Sequence, residues 1–301
     1  MDVVVRPFER SDRDQLTALV NAHVATVLPG VALSVNTVLS QLEREPREVI
    51  VDPWVAQRQC VVAVHRERIV AAALLHRFRN DADVSDSYRG VGDIRWLLCA
   101  RDYTEAGRQL LTHCIDTFAH WDVRRRYADG ALPAMGCYGI PDSWPHIRGL
   151  LVEAGFDGPA RVEDVFAARC EDLLGHALDG AVVRRSVGSI GVRIELRNRG
   201  TEMGYIEIDQ TPLDTSRNAP ATSWAAIGNL HIADKTNHAE TMPALLALAA
   251  EWLLLGGVNR LIAYYADDVD PPEYLTTLHV VGFTRLARTE RGWELPEPVK
   301  H

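Results

Sequence analysis

Trp224-Ala-Ala-Ile-Gly-Asn-Leu-His-Ile232 is an apolar run that breaks into a polar loop over 233–240. Its second half, 227–232, alternates and predicts a short strand. Thr241-Met-Pro-Ala-Leu-Leu246 then opens a helical pattern that continues to Leu255. Gly256-Gly257 stops it, because glycine accepts the left-handed backbone of a helix end. Arg260-Leu-Ile-Ala-Tyr-Tyr265 reads as the next strand, and 271–281 as a second helix closed by Gly282-Phe283. Strand, loop, long helix, strand, short helix and Gly-Phe is the order of an α/β core.

The same order occurs earlier. Residues 60–64 and 69–78 predict a hairpin, 80–90 a polar loop, 94–99 a strand and 105–121 a helix. Arg124-Arg-Arg126 reads as a solvated turn. Met135-Gly-Cys-Tyr138 predicts a strand, Pro141-Asp-Ser-Trp-Pro-His146 opens a helix that ends at Gly155-Phe156, and 165–169 closes the sheet. A strand over 3–8 and two helices precede this set. The first helix carries Leu16, Leu19, Val20, Val24 and Val27 on one face, and Ser34 caps the second, which ends before Pro46. The later half starts directly at strands over 182–185, 191–196 and 204–209, with a tight turn at Asn198-Arg-Gly200. A loop over 212–222 follows, and a strand pair over 284–295 ends that half. The expected organisation is therefore two tandem α/β (α+β) domains, 1–172 and 181–301, the second lacking the first two helices. Each is a mixed, mostly antiparallel sheet flanked by helices.

The bulk chemistry is that of a globular protein: 301 residues, 47% hydrophobic and 24% charged. A formal charge of −9 argues against a nucleic acid as main partner. The five cysteines, Cys60, Cys99, Cys114, Cys137 and Cys170, show no paired spacing, which suits buried thiols in a reducing compartment. No zinc pattern is present, so no metal is expected. The first residues carry no signal-peptide pattern, and no apolar run reaches the ~20 residues of a membrane helix. The expectation is a cytoplasmic protein, with homodimerisation left open.

The repeated order resembles a tandem protein of the GNAT (GCN5-related) N-acetyltransferase superfamily. The resemblance covers nearly the whole chain and rests on Pro141-Asp-Ser-Trp-Pro-His146, the two Gly-Phe helix ends and Trp224-Ala…Leu230-His-Ile232. It implies acetyl-CoA as cofactor, bound where the fourth and fifth strands splay apart. A glycine-rich loop would close its amides around the pyrophosphate at a helix N-terminus. In the later half that loop places Asn237, Glu240 and Met242 at the motif positions. In the earlier half it places Asp102, Glu105 and Gly107 there, with Arg101 and Arg108 nearby. The cofactor contacts implied are Ile232, Ala233, Asp234, Asn237, His238 and Met242.

Strand alternation sets Asn229 and His231 opposite Leu230 and Ile232, and puts Glu207 and Asp209 on one face of the neighbouring strand. The catalytic candidates are Glu207 and His231 beside an acceptor, with Tyr264 orienting or donating. Tyr274 is a substitute for the family's tyrosine acid, whose position holds Leu278. The amide of Ala233 is the candidate donor to the reacting carbonyl. The resemblance implies acetyl transfer from acetyl-CoA to a small-molecule amine. Two alternatives stay open: a catalytically degenerate member that binds a metabolite or partner without CoA, and an aminoacyl-tRNA-dependent transferase with Arg124-Arg-Arg126 or Arg184-Arg185 in a basic groove.

Overall fold

The computed structural model describes residues 2–43, 54–134, 137–176, 178–209, 224–234 and 237–296. Pro46, Met135, Gly136 and the loop expected at 212–222 lie outside them. The chain forms two compact units, one of 1–162 with 289–301, the other of 163–288. The halves 1–172 and 181–301 describe order along the chain; compactness divides it differently. The first unit takes residues 289–301 from the later half, and the second takes residues 163–172 from the earlier half.

In the first unit, β1 (Val4–Pro7), β2 (Val55–His65), β3 (Arg68–Phe78), β4 (Val91–Cys99) and β5 (Arg125–Ala128) line up in order. β14 (Trp293–Leu295) completes the sheet beside β5. The helices are α1 (Arg13–Val24), α2 (Val35–Leu42), α3 (Thr104–His120) and α4 (Pro145–Glu153), and Ile140–Pro141 forms a short β6. The Ser34 hydroxyl caps α2 by accepting from the Thr37 amide. The partner of β4 is a correction. It is the basic segment Arg125–Ala128, read from sequence as a turn, and it pairs parallel to β4. Arg125 is held there by both carboxylate oxygens of Glu294 on β14, at 2.6 and 2.7 Å. A cation paired this way can edge a sheet, which a run of arginines alone does not reveal.

The second unit orders its strands β13 (Thr284–Arg291), β7 (Arg161–Arg169), β12 (Arg260–Tyr265), β11 (Trp224–Ile232), β10 (Thr201–Asp209), β9 (Val192–Asn198) and β8 (Ala181–Val187). Strand β7 was expected to close the first sheet. Its residues Val165, Phe166, Ala167 and Ala168 are buried in succession, as a central strand requires. They pair with β12. The β9–β10 turn places Arg199 and Gly200 at φ 49° and 84°, the two left-handed residues of a tight hairpin. α5 (His238–Leu255) packs on the face that carries Gly204, Ile206, Ile208, Ala225 and Ile227, and α6 (Pro272–Val280) adds Leu278 to the same core.

Candidate functional site

The two units share one irregularity at the same place. In the first, β4 pairs with β5 only from Val91 to Ile94, and the register against β3 then skips Arg95. In the second, β11 pairs with β12 only from Trp224 to Ala226, and the register against β10 skips Gly228. A bulge bends its strand, so each pair of parallel strands splays apart beyond it.

The two splays differ in what fills them. β4 is buried almost throughout. Along its edge the Asp129 amide donates to Ile94 O and the Ala131 amide to Arg95 O. At its end, His146 Nε2 donates to Cys99 O at 2.8 Å, and His23 Nε2 lies 3.1 Å from the same oxygen. Burial pushes both imidazoles below the usual histidine range, so they serve as neutral plugs. A Cβ on Gly107 would meet Leu150 Cδ1 at 2.6 Å and Cys99 Sγ at 2.9 Å. That glycine serves helix–strand packing rather than an anion. Arg101 donates to Ser143 O, and Arg108 is tied to Glu105 and Glu153.

The second splay is open. Beyond Ile227, residues Gly228, Asn229, Leu230 and Ile232 are half-buried and His231 is exposed. Leu230 and Ile232 lean on the core, which leaves Asn229 and His231 on the opposite face, as alternation predicts. The His231 ring lies tilted against Tyr205 with centroids 5.3 Å apart, and the Arg193 guanidinium sits 3.4 Å from the centre of the same Tyr205 ring. Glu207, the other catalytic candidate of this face, is closed off from an acceptor. It is 3% exposed, roofed by the tip of the β8–β9 hairpin. Asn229 Nδ2 donates to its Oε2 at 2.8 Å and the Ser189 hydroxyl at 2.9 Å, while Arg193 lies 3.8 Å from Oε1. Led by the Asn229 bond, these contacts hold its carboxyl below the usual glutamate range. Such a carboxylate is a poor base. It fixes Asn229 beside the bulge, a role for which Ser189 and Asn229 gave no sequence signal. Leu261, Ala263 and Tyr265 face the core, so alternation puts Tyr264 on the face of Asn229 and His231, on the other arm of the splay.

The loop that follows needs several corrections. The Ala233 amide donates to Met203 O at 2.9 Å, so it is engaged within the sheet and is not a donor for a substrate carbonyl. Met242 is fully buried in the core and does not face a ligand. α5 begins at His238, which places Pro243 inside the helix rather than in its first turn. Asn237 binds Asp234 through its amide and its side chain, both at 3.1 Å. His238 Nδ1 lies 3.4 Å from Thr277 Oγ1, and burial pushes its pKa down. Tyr274 is packed in the core, where burial raises its pKa, so it does not act as an acid at the splay.

Acetyl-CoA, the cofactor that the resemblance implies, would meet two different environments here. The bulged edge of β11 fits an extended, amide-bearing thioester arm, because a strand edge offers backbone donors and acceptors. The described part of the loop does not fit a diphosphate: Asp234 and Glu240 are both exposed, Glu240 stands in the first turn of α5, and no glycine lets the backbone approach. Lys235 and Thr236 lie outside the described residues. Among the described residues, no group of His, Cys, Asp and Glu is placed to hold a metal ion. No helix among them is long and apolar enough to cross a membrane.

Two mixed sheets, each splayed at a bulge and flanked by helices, define a tandem GNAT fold. Solved structures agree across the chain. A tandem GNAT protein from the clavulanic acid biosynthesis pathway superposes with a TM-score of 0.67 at 14% identity, covering 99% of this chain and 100% of that one. A GCN5-related N-acetyltransferase from Sphaerobacter thermophilus gives 0.63 at 12% identity, covering 99% and 98%. A glucosamine N-acetyltransferase region of a fungal multi-domain β-N-acetylglucosaminidase gives 0.62 at 13%, covering 97% of this chain and 38% of that one. No family model and no curated protein matches the sequence.

Proposed function

We propose that the chain is an N-acyltransferase that moves an acetyl group from acetyl-CoA to the amine of a small molecule, at the open splay of the second unit. The observation that carries this reading is the bulged, half-exposed end of β11 beside an exposed His231. Acetyl-CoA would supply the activated thioester: the amine nitrogen forms the new amide bond as the C–S bond breaks, and the CoA thiolate leaves and takes up a proton. The amine must be neutral to attack, and His231 is the exposed titratable group on the polar face of that strand, suited to take its proton. Asn229, locked by Glu207, presents a fixed amide beside the bulge. Tyr264 faces the acceptor from the other arm of the splay.

His231→Gln should lower kcat by about 10²-fold or more, the usual span of a general base, with the acetyl-CoA Kd unchanged. Equal turnover in the variant and the parent would remove His231 from the mechanism. A second reading has its own observation. The loop carboxylates Asp234 and Glu240 and the plugged first splay favour a catalytically degenerate member that binds a metabolite without CoA. Calorimetry with acetyl-CoA separates the two: heat that saturates supports the transferase, and no heat at high micromolar protein supports the binder.

A further inference from the structure

The first connection of the second unit differs from its counterpart in the first unit. Strands β8, β9, β10 and β11 stand in the same order as β1, β2, β3 and β4. In the first unit the chain passes from β1 to β2 through α1 and α2, and α1 brings His23 to the end of β4. In the second unit it passes from β8 to β9 through the short tip Gly188-Ser189-Ile190-Gly191. The Gly188 amide donates to Gly191 O at 2.7 Å and closes that tip.

Glycines let the tip press onto the face of Glu207 and Asn229. A Cβ on Gly191 would run into Ile208 O of β10, and one on Gly188 would meet Glu207 Oε1 at 2.6 Å. A Cβ on Gly228 would meet Ile190 Cγ2 at 2.8 Å, so the Ile190 side chain lies directly on the bulge of β11. The Ser189 hydroxyl, bonded to Glu207 Oε2, fixes the tip in place. Ile190 itself stays 45% exposed. Glycine is costly in an ordered chain, and a half-open isoleucine returns little of that cost through burial. Folding stability therefore does not account for the contact, whereas its place at the open splay does.

The bulge is the closed end of that splay. β11 pairs with β12 only as far as Ala226, and the strands part beyond it. An extended arm laid inward along the free edge of β11 stops at Gly228, which puts its reactive end beside Ile190. A β-branched side chain is stiff, so Ile190 sets how much room remains past the reacting carbon.

We propose that Ile190 is a specificity-determining residue that limits the acyl group at the second splay to acetyl. The inference rests on the acyl-transfer reading given above and adds the side chain that selects the donor. Each methylene beyond acetyl has to displace a side chain that the Ser189–Glu207 bond and the close-packed glycines hold in place.

The test measures the Kd of acetyl-CoA and of butyryl-CoA, which is longer by two methylenes, by calorimetry on the full chain. The parent should prefer acetyl-CoA by about tenfold or more. Ile190→Ala clears the side chain beyond Cβ and should bring the two affinities within about threefold of each other. Ile190→Val, which loses a single methyl group, should fall between the two. Equal affinity for both donors in the parent, or a preference that survives in Ile190→Ala while acetyl-CoA still binds, would overturn the role of Ile190 and leave the acyl-transfer reading standing. No saturable heat with either donor in the parent would overturn that reading and this inference with it.

Discussion

Replacing Asp93 with asparagine should stabilise the protein, and the gain should depend on pH. Burial, then Asp129, raise the Asp93 carboxyl from its ordinary 3.8 to about 7, while Arg95 pulls the other way. The folded chain therefore holds a proton between about pH 4 and 7 that the unfolded chain has released. Stability from this group is complete below pH 4 and is lost as pH rises to 7. At about 1.4 kcal/mol for each pH unit, the full window amounts to roughly 4 kcal/mol. Asparagine keeps the shape and has no proton to lose. The variant should match the parent near pH 4 and exceed it at pH 8 by about 2–4 kcal/mol, or roughly 4–16 °C in Tm for a unit of this size. Thermal melts followed by near-ultraviolet circular dichroism at pH 4, 6 and 8 provide the readout. A variant that melts at or below the parent at pH 8 would refute the reasoning, as would a gain of equal size at all three pH values.

Other substitutions probe the second unit. Glu207→Gln should melt lower than the parent at pH 7, because the Asn229, Ser189 and Arg193 contacts favour the ionised form; the sign is that of a depressed carboxyl, so the difference should shrink as pH falls below about 4. Met242→Ala should cost about 2–5 kcal/mol by urea unfolding, the range for a buried methionine, and leave the acetyl-CoA Kd of the folded protein unchanged. Gly204→Ala would drive a Cβ to 2.5 Å from His231 O across the β10–β11 pair. Amide exchange of 229–232 should then speed up, while exchange in β4 stays as it was.

The elements that were legible in the sequence carry local signals. Alternation over 227–232, the Gly256-Gly257 stop and the Gly282-Phe283 end gave β11, α5 and α6, and the same reasoning placed Asn229 and His231 on one face. What stayed hidden depends on partners far along the chain. Arg125 edges a sheet only because Glu294 arrives from the C-terminal strand. β7 reads as the end of one half, yet its doubly buried run belongs beside β12. Glu207 looks like a surface carboxylate until the Gly188-Ser189-Ile190-Gly191 tip folds over it, with Ile190 resting on Gly228. Met242 occupies a loop position by alignment but a core position by helix phase. Asp93 had one available signal, a charge at an inward position of an apolar strand, visible once the strand is extended back to Val91.

The central claim is that an acyl donor seats along the open edge of β11 and not along β4. Backbone amide NMR with added acetyl-CoA tests it directly. The account predicts saturable shifts at Gly228, Leu230, Ile232 and Asp234, with Trp96, Leu97, Leu98 and Cys99 unmoved. Shifts confined to 96–99, or none in either strand, would contradict it.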